Sequence, residues 1–204
     1  MVHRGPDGAG VWVDDAARIG FGHRRLAIVD LSEAALQPMS LSDESLSLVF
    51  NGEIYNHAEL RQELIALGHT EWKTDHSDTE VILYAFKEWG IDCLKRFRGM
   101  FAIALWDARD QTLWLVRDRV GVKPLYYAQD ERGLVFASEI KAILAGPERP
   151  RAVNEDAFFH YLSFLTTPAP MTLFKGIGKM EAGTWTRITA DGATQTERWW
   201  DAWD

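Results

Sequence analysis

Four short stretches carry side chains of kinds that do chemistry: His3-Arg4-Gly5-Pro6-Asp7, His23-Arg24-Arg25-Leu26, Asn51-Gly52-Glu53 and Asp75-His76-Ser77-Asp78-Thr79-Glu80. The third sets a side-chain amide and a flexible backbone amide directly after the apolar run Leu46-Ser47-Leu48-Val49-Phe50, where a strand is expected to end. Donors of those two kinds stabilise the oxyanion that develops in acyl transfer. Asn-Gly between apolar runs is equally a hairpin signal, so the stretch alone leaves turn and substrate site open. Arg24 and Arg25 are neighbours on an expected strand and point to opposite faces. One guanidinium therefore faces inward and needs a planar anion, either a bound carboxylate or a structural partner such as Asp30 or Asp7. Asp78 falls in the first turn of an expected helix, where it either complements the helix dipole or receives a ligand ammonium. Read without the others, the first stretch is a Gly-Pro turn with an Arg-Asp pair. A buried arginine and a buried aspartate some distance apart would hold the two charged ends of an amino acid. Asn51-Gly52-Glu53 would then polarise that ligand's side-chain carbonyl.

The elements that must position these residues follow from hydrophobic period and turn chemistry. Val11-Trp12-Val13 and Arg18 to Leu26 read as strands, the second with Ile19, Phe21 and His23 on one face. Leu46 to Phe50 is a third strand, preceded by an irregular stretch from Ser32 to Ser45. A helix is expected from Ala58 to Leu67, capped by Asn56 with Glu59, with Leu60, Leu64 and Leu67 facing inward and Gly68 as the stop. A second helix starts after Ser77, with Ser77 and Glu80 as a capping box, Val81, Ile82, Ala85 and Trp89 inward, and Gly90 at its end. Ile91 to Phe97 reads as a short helix holding Cys93.

The period then changes to two. Phe101 to Trp106 and Thr112 to Val116 form a hairpin that is apolar on both faces, so it belongs in the middle of a sheet covered on both sides. Leu125 to Ala128 and Gly133 to Ala137 form a second hairpin, followed by short and longer helices over Ser138 to Leu144 and Asn154 to Leu165. A proline- and charge-rich loop separates these helices from Gly146 to Arg151, and strands over Thr184 to Ile188 and Thr194 to Trp199 complete the chain. No strand, glycine-rich loop and helix follow in succession. The fold class is α+β, layered and sandwich-like, and not a doubly wound parallel sheet.

At 204 residues the chain is long enough for one full domain. Its net charge of -8, from 22 basic and 30 acidic residues, argues against nucleic acid or an anionic membrane surface as partner. No apolar run has transmembrane length and no signal segment opens the chain. The single cysteine, Cys93, forms no internal disulfide and fits a reducing, cytoplasmic setting. It lies between Ile91 and Leu94 and reads as a buried small hydrophobe. No histidine spacing predicts a metal site. Gly176-Ile177-Gly178-Lys179 lacks the spacing of a phosphate loop, with Met180 where the hydroxyl belongs. Both ends read as cut. The chain opens inside its most polar loop and stops among Trp199, Trp200 and Trp203, so a piece of a larger protein is expected, with an uncovered sheet edge that lowers stability or drives self-association.

Seven segments taken in order carry a resemblance: His3-Arg4-Gly5-Pro6-Asp7, Arg25 to Asp30, Phe50 to Leu60, Ser77-Asp78-Thr79-Glu80, Phe97 to Ala102, Arg117-Asp118-Arg119-Val120-Gly121-Val122-Lys123-Pro124 with Leu125-Tyr126-Tyr127, and Phe136 to Ala142. The chain resembles the N-terminal glutaminase domain of glutamine-hydrolysing asparagine synthetases, which are class II (N-terminal-nucleophile) amidotransferases. The resemblance implies a four-layer α/β/β/α sandwich of two antiparallel sheets. It implies that Arg25 binds the glutamine α-carboxylate and that Asp78, helped by Gly52 and Glu53, binds the α-amino group. The Asn51 side chain and the Gly52 N–H would form the oxyanion hole, and Arg4 would belong to the supporting polar shell. Residues 1–204 would be the glutaminase domain, truncated at its N-terminus, and 190–204 would include the start of a linker. The family's nucleophile is a cysteine that begins the mature chain, and these residues do not contain it. The implied partners are L-glutamine and a C-terminal synthetase domain, with a homodimer left open. No cofactor is expected on this chain; ATP and Mg belong to the absent domain. The parent reaction would be ATP-dependent asparagine synthesis, with this polypeptide inactive alone. The alternatives are a non-catalytic glutamine-binding or regulatory module, or the glutaminase part of a synthetase with another acceptor.

Overall fold

The computed structural model describes residues 1–146 and 151–203. Most of the expected loop from Gly146 to Arg151 therefore lies outside the described residues. In chain order the elements are β1 (Gly8–Asp14), β2 (Ile19–Arg25), β3 (Met39–Ser40), β4 (Leu46–Ile54), α1 (His57–Ala66), α2 (Asp78–Trp89), β5 (Gly99–Asp107), β6 (Thr112–Arg117), β7 (Tyr126–Asp130), β8 (Gly133–Ala137), α3 (Ile140–Leu144), α4 (Glu155–Phe164), β9 (Gly178–Lys179), β10 (Thr184–Thr189) and β11 (Thr194–Arg198).

The strand alternation of β5 sets the layers. Ile103 and Leu105 pack with Leu48 and Phe50 of β4 against Leu60 and Leu64 of α1 and the buried residues of α2. Ala102, Ala104 and Trp106 point the other way and pack against Phe21, Leu125, Met180 and Phe136. The sheet between these two cores is six-stranded and antiparallel, ordered β11-β10-β6-β5-β4-β3. Beyond the second core lies another β layer, and α3 closes it through Ile143 against Ala128. The fold is the expected α+β sandwich of antiparallel sheets flanked by helices, and the β5–β6 hairpin sits at its centre with both faces covered. The second β layer comes as two hydrogen-bonded pieces, β1–β2 and β8–β7–β9. They touch where Phe21 of β2 meets Phe136 of β8 edge to face at 6.0 Å.

Several local expectations are corrected by longer-range bonds. Asn56 does not cap α1 with its side chain. Its amide instead donates to Arg96 O at 3.0 Å and accepts from the Arg98 N–H at 2.8 Å, fixing the turn before β5. Ser77 and Glu80 form no capping box, because both Glu80 oxygens are taken by the Lys73 N–H, the Thr74 N–H and the Thr74 hydroxyl. Leu67 lies one residue past α1 and is half exposed, while Leu60 and Leu64 are buried as expected. Gly68 and Gly90, at φ +102° and +57°, supply the stops. The segment with Cys93 is a 3-10 turn over Gly90–Lys95. Asn154 does cap α4, accepting from the Ala157 N–H at 3.2 Å. That helix buries only Ala157 and leaves Phe158, Phe159, Leu162 and Phe164 exposed. At the far end Trp199 stacks on Phe101 with ring centroids 6.1 Å apart, and its indole N–H donates to Arg117 O.

Candidate functional site

The open edge of β4 organises the site. On one side β4 pairs with β5 along its full length, with Gly52 opposite Phe101. On the other, β3 covers only Ser47 and Leu48. Past that point the strand's outward groups go to side chains. The Phe50 N–H donates to Gln37 Oε1 at 2.6 Å, and the Ile54 N–H donates to the Asp78 carboxylate at 3.1 Å. Backbone groups alternate in direction along a strand. The Gly52 N–H therefore turns to this same edge, between the two that Gln37 and Asp78 take.

The Asn-Gly pair is thus inside a strand and makes no hairpin turn. Its glycine has another cause. A Cβ at Gly52 would lie 2.1 Å from Met100 O and 2.7 Å from Phe101 Cα, so only glycine lets β5 approach this closely.

Arg25 is the inward-facing arginine of β2 and is 8% exposed. It makes neither structural ion pair open to it, with Asp30 or with Asp7. Its guanidinium donates to the Asp30 carbonyl and, at 2.8 Å, to the Ser32 carbonyl. The Asp30 carboxylate is turned to the Ser32 N–H at 2.8 Å. Asp7 closes the preceding loop against the strand end, accepting from the Ala27 N–H at 2.9 Å. Arg24, on the opposite face, donates to Gly5 O at 3.0 Å. Two carbonyls thus hold the Arg25 guanidinium without neutralising it, and it keeps further N–H groups for an anion.

Arg25, Asn51, Gly52, Glu53 and Asp78 line one cavity of about 600 Å3, and Arg4 stands at its rim. Apolar wall comes from Val49, Ala102, Ala104 and Phe136, between the two pieces of the second β layer. The sequence-selected residues therefore converge. Burial raises the Asp78 carboxyl above its ordinary value, with Glu53 adding to that and the Ile54 N–H opposing it. His23 lies against β4 with Nε2 3.2 Å from Phe50 O. Burial, helped by the Arg25 charge, lowers its pKa. The imidazole is neutral at pH 7, with Nε2–H as the donor. Arg4 is largely exposed, and its Nε lies 3.4 Å from Glu139, which also holds Lys141 at 2.9 Å.

The profile of the Glutamine amidotransferase domain family matches residues 1–200. This chain belongs to that family. The amidotransferase domain is 41% identical over 192 residues to asparagine synthetase (glutamine-hydrolyzing) 1 of Bacillus subtilis (strain 168), covering 94% of this chain and 29% of that protein. It is 38% identical over 202 residues to asparagine synthetase (glutamine-hydrolyzing) 3 of the same organism, covering 98% of this chain and 32% of that one. With a putative asparagine synthetase of Mycobacterium tuberculosis (strain ATCC 25618 / H37Rv) the identity is 40% over 201 residues, 94% of this chain and 30% of the other. The amidotransferase domain spans about a third of the length of these curated relatives. Among solved structures, glutamine phosphoribosylpyrophosphate amidotransferase from B. subtilis superposes with a TM-score of 0.60 at 24% identity, over 88% of this chain and 34% of that chain. That likeness is one of fold.

Other parts of the amidotransferase domain's site were not singled out from sequence. Ser138, at the end of β8, lines the cavity and accepts from Asn51 Nδ2 at 3.1 Å. Gln37 bridges β4 to α2 through the Phe50 N–H and Thr79 Oγ1. Gln37 stands in the irregular stretch before β4, and Ser138 lies in one of the segments that carry the resemblance, but neither residue type signals a partner so far away in sequence. The Arg117-to-Pro124 block has a bracing part. Buried Asp118 accepts from the N–H groups of Phe101, Val122 and Lys123, while Arg117 donates to the carbonyls of Lys123, Gly121 and Met180. The block thereby fixes the turn that brings Lys123 and Pro124 to the cavity wall. Gly176-Ile177-Gly178-Lys179 is no phosphate loop. Gly178 and Lys179 form β9 beside β7, and a Cβ at Gly178 would meet the Tyr127 ring at 2.7 Å.

Proposed function

We propose that this domain binds L-glutamine and presents its side-chain amide for hydrolysis, as the glutaminase part of an asparagine synthetase. The observation that carries this reading is the convergence of a buried arginine, a buried aspartate and an amide-bearing strand edge on one cavity. In the proposed complex Arg25 takes the α-carboxylate with the N–H groups that Asp30 and Ser32 leave free. Asp78, with Glu53 beside it, takes the α-ammonium. The side-chain carbonyl then lies where Asn51 Nδ2 and the outward Gly52 N–H both donate to it, and Arg4 closes the rim.

Hydrolysis converts glutamine and water into glutamate and ammonia through a tetrahedral oxyanion. Asn51 and Gly52 stabilise that oxyanion; removing one such donor typically slows a reaction by about a hundredfold to a thousandfold. The covalent step needs a nucleophile that these 204 residues do not offer, because their one cysteine, Cys93, is buried in the α1–α2 core. In the parent protein the ammonia would go to aspartate, activated with ATP and Mg2+ in a synthetase domain outside these residues. That larger reading is supported by the names and lengths of the relatives. The buried thiol also favours a second reading, in which this polypeptide binds glutamine without turning it over.

Calorimetric titration tests the proposal. L-glutamine should bind with one-to-one stoichiometry and D-glutamine should not, since the D-isomer cannot meet Arg25 and Asp78 together with Asn51. Absence of heat with L-glutamine would overturn it.

A further inference from the structure

Asn51 and Ser138 are 87 residues apart in sequence and belong to different β layers, yet their side chains meet across the cavity wall. Asn51 Nδ2 carries two N–H groups and donates one to Ser138 Oγ at 3.1 Å. The serine hydroxyl has an acceptor lone pair for that bond and keeps its own hydrogen. The bond anchors the end of the Asn51 amide and so sets the plane in which that amide meets a ligand.

Ser138 itself stands on a braced corner. It follows β8 directly, and the next residue, Glu139, is tied to Lys141 at 2.9 Å and to Arg4 at 3.4 Å. The corner thus joins the rim of the cavity to the amide on β4.

The geometry points to Ser138 as the positioning residue for the Asn51 amide: it holds that amide against the place of a ligand's side-chain carbonyl and so favours ligands that carry one. This rests on the glutamine reading given above. With Ser138 in place, the Asn51 amide stays at the position of the ligand's side-chain carbonyl. Without it, the amide swings about its side-chain bonds and meets that carbonyl only part of the time. Ligand ends held by Arg25 and Asp78 do not sense the difference.

Two ligands and two variants separate this from a merely structural part. L-norvaline has both charged ends of an amino acid and no side-chain carbonyl. Ser138→Ala should weaken L-glutamine about fivefold, the size of one ordinary hydrogen bond, and leave L-norvaline binding unchanged. Ser138→Thr, which keeps the hydroxyl, should restore glutamine affinity. In the ligand-free full chain, the Asn51 side-chain 1H–15N signals, assigned by their loss in Asn51→Asp, should move in Ser138→Ala and return in Ser138→Thr. Equal weakening of both ligands, unchanged glutamine affinity, or an unmoved Asn51 signal in Ser138→Ala overturns the assignment. If the unmodified chain binds neither ligand, the glutamine reading fails while the Asn51 signal still decides the part played by Ser138.

Discussion

The Asp78 carboxylate accepts the Ile54 N–H at 3.1 Å, so the first residue of α2 is bonded to the last residue of β4. One bond joins the helix layer to the strand that floors the cavity. It also places a carboxylate at the cavity while one of its oxygens is used by the backbone.

That arrangement sets a pH dependence. Burial raises the folded-state pKa of Asp78. A carboxyl raised on folding favours the fold most below its unfolded pKa, and that contribution is lost as pH rises through the folded value. At pH 7 the fold therefore carries the cost of a buried charge that Asn would not. Asn also keeps an oxygen for the Ile54 N–H. Asp78→Asn should melt higher than the parent chain at pH 7, with the gap closing toward pH 4, and should lose glutamine binding. A lower melting temperature at pH 7 would show that a favourable charge interaction outweighs the burial.

Arg25 should be needed for binding in a way lysine cannot replace. Removing one partner of a desolvated charge pair costs about 2–5 kcal/mol, so Arg25→Ala should weaken L-glutamine by at least about 30-fold. Arg25→Lys should recover little, since it lacks the planar fork that spans the Asp30 and Ser32 carbonyls and a carboxylate together. Calorimetry on both variants decides this, and parent-like affinity in Arg25→Ala would move the carboxylate grip elsewhere.

Cys93 should be inert. Burial pushes its thiol far up from the ordinary value, and Asp92 adds to the shift. A thiol-specific chromogenic disulfide should label the native chain only as it unfolds. For the same reason the 204-residue polypeptide should release no glutamate from glutamine above a buffer blank, and Cys93→Ala should leave that result as it is. Glutamate release that disappears in Cys93→Ala would refute this.

Gly52→Ala should destabilise the fold by crowding the neighbouring strand. The added methyl would press on Met100 O and Phe101 Cα, which cannot swing away as a side chain would. Overpacking of this kind costs about 3 kcal/mol, or roughly 6–12 °C of melting temperature for a chain of this size. A melt within a degree of the parent would mean that β4 and β5 separate at this point without loss.

Much of the frame was legible in the residues. The apolar period of two in Phe101 to Trp106 and Thr112 to Val116 marked the covered central hairpin, and the stripe of Val81, Ile82 and Ala85 marked α2. The adjacent arginines of β2 were correctly read as one in and one out, because strand geometry admits no other arrangement. The misreadings lay where a short polar signal has both a local and a distant use. Asn56 and Glu80 look like helix caps in sequence, and their atoms went to Arg96, Arg98, Lys73 and Thr74 instead. Asn51-Gly52 looks like a turn, and its glycine serves the approach of a neighbouring strand.

By itself the sequence determined residue kinds and local period: which segments alternate, that one of two adjacent arginines points inward, and that an aspartate stands in the first turn of a helix. Only the tertiary structure decided that Arg25, Asn51 and Asp78 line one cavity, that Ser138 reaches Asn51, and that the second β layer parts beside them. The physical reason is range. Period and turn chemistry act over a few residues, whereas the register of β4 against β5 and the meeting of β8 with β4 are fixed by the joint packing of the whole core.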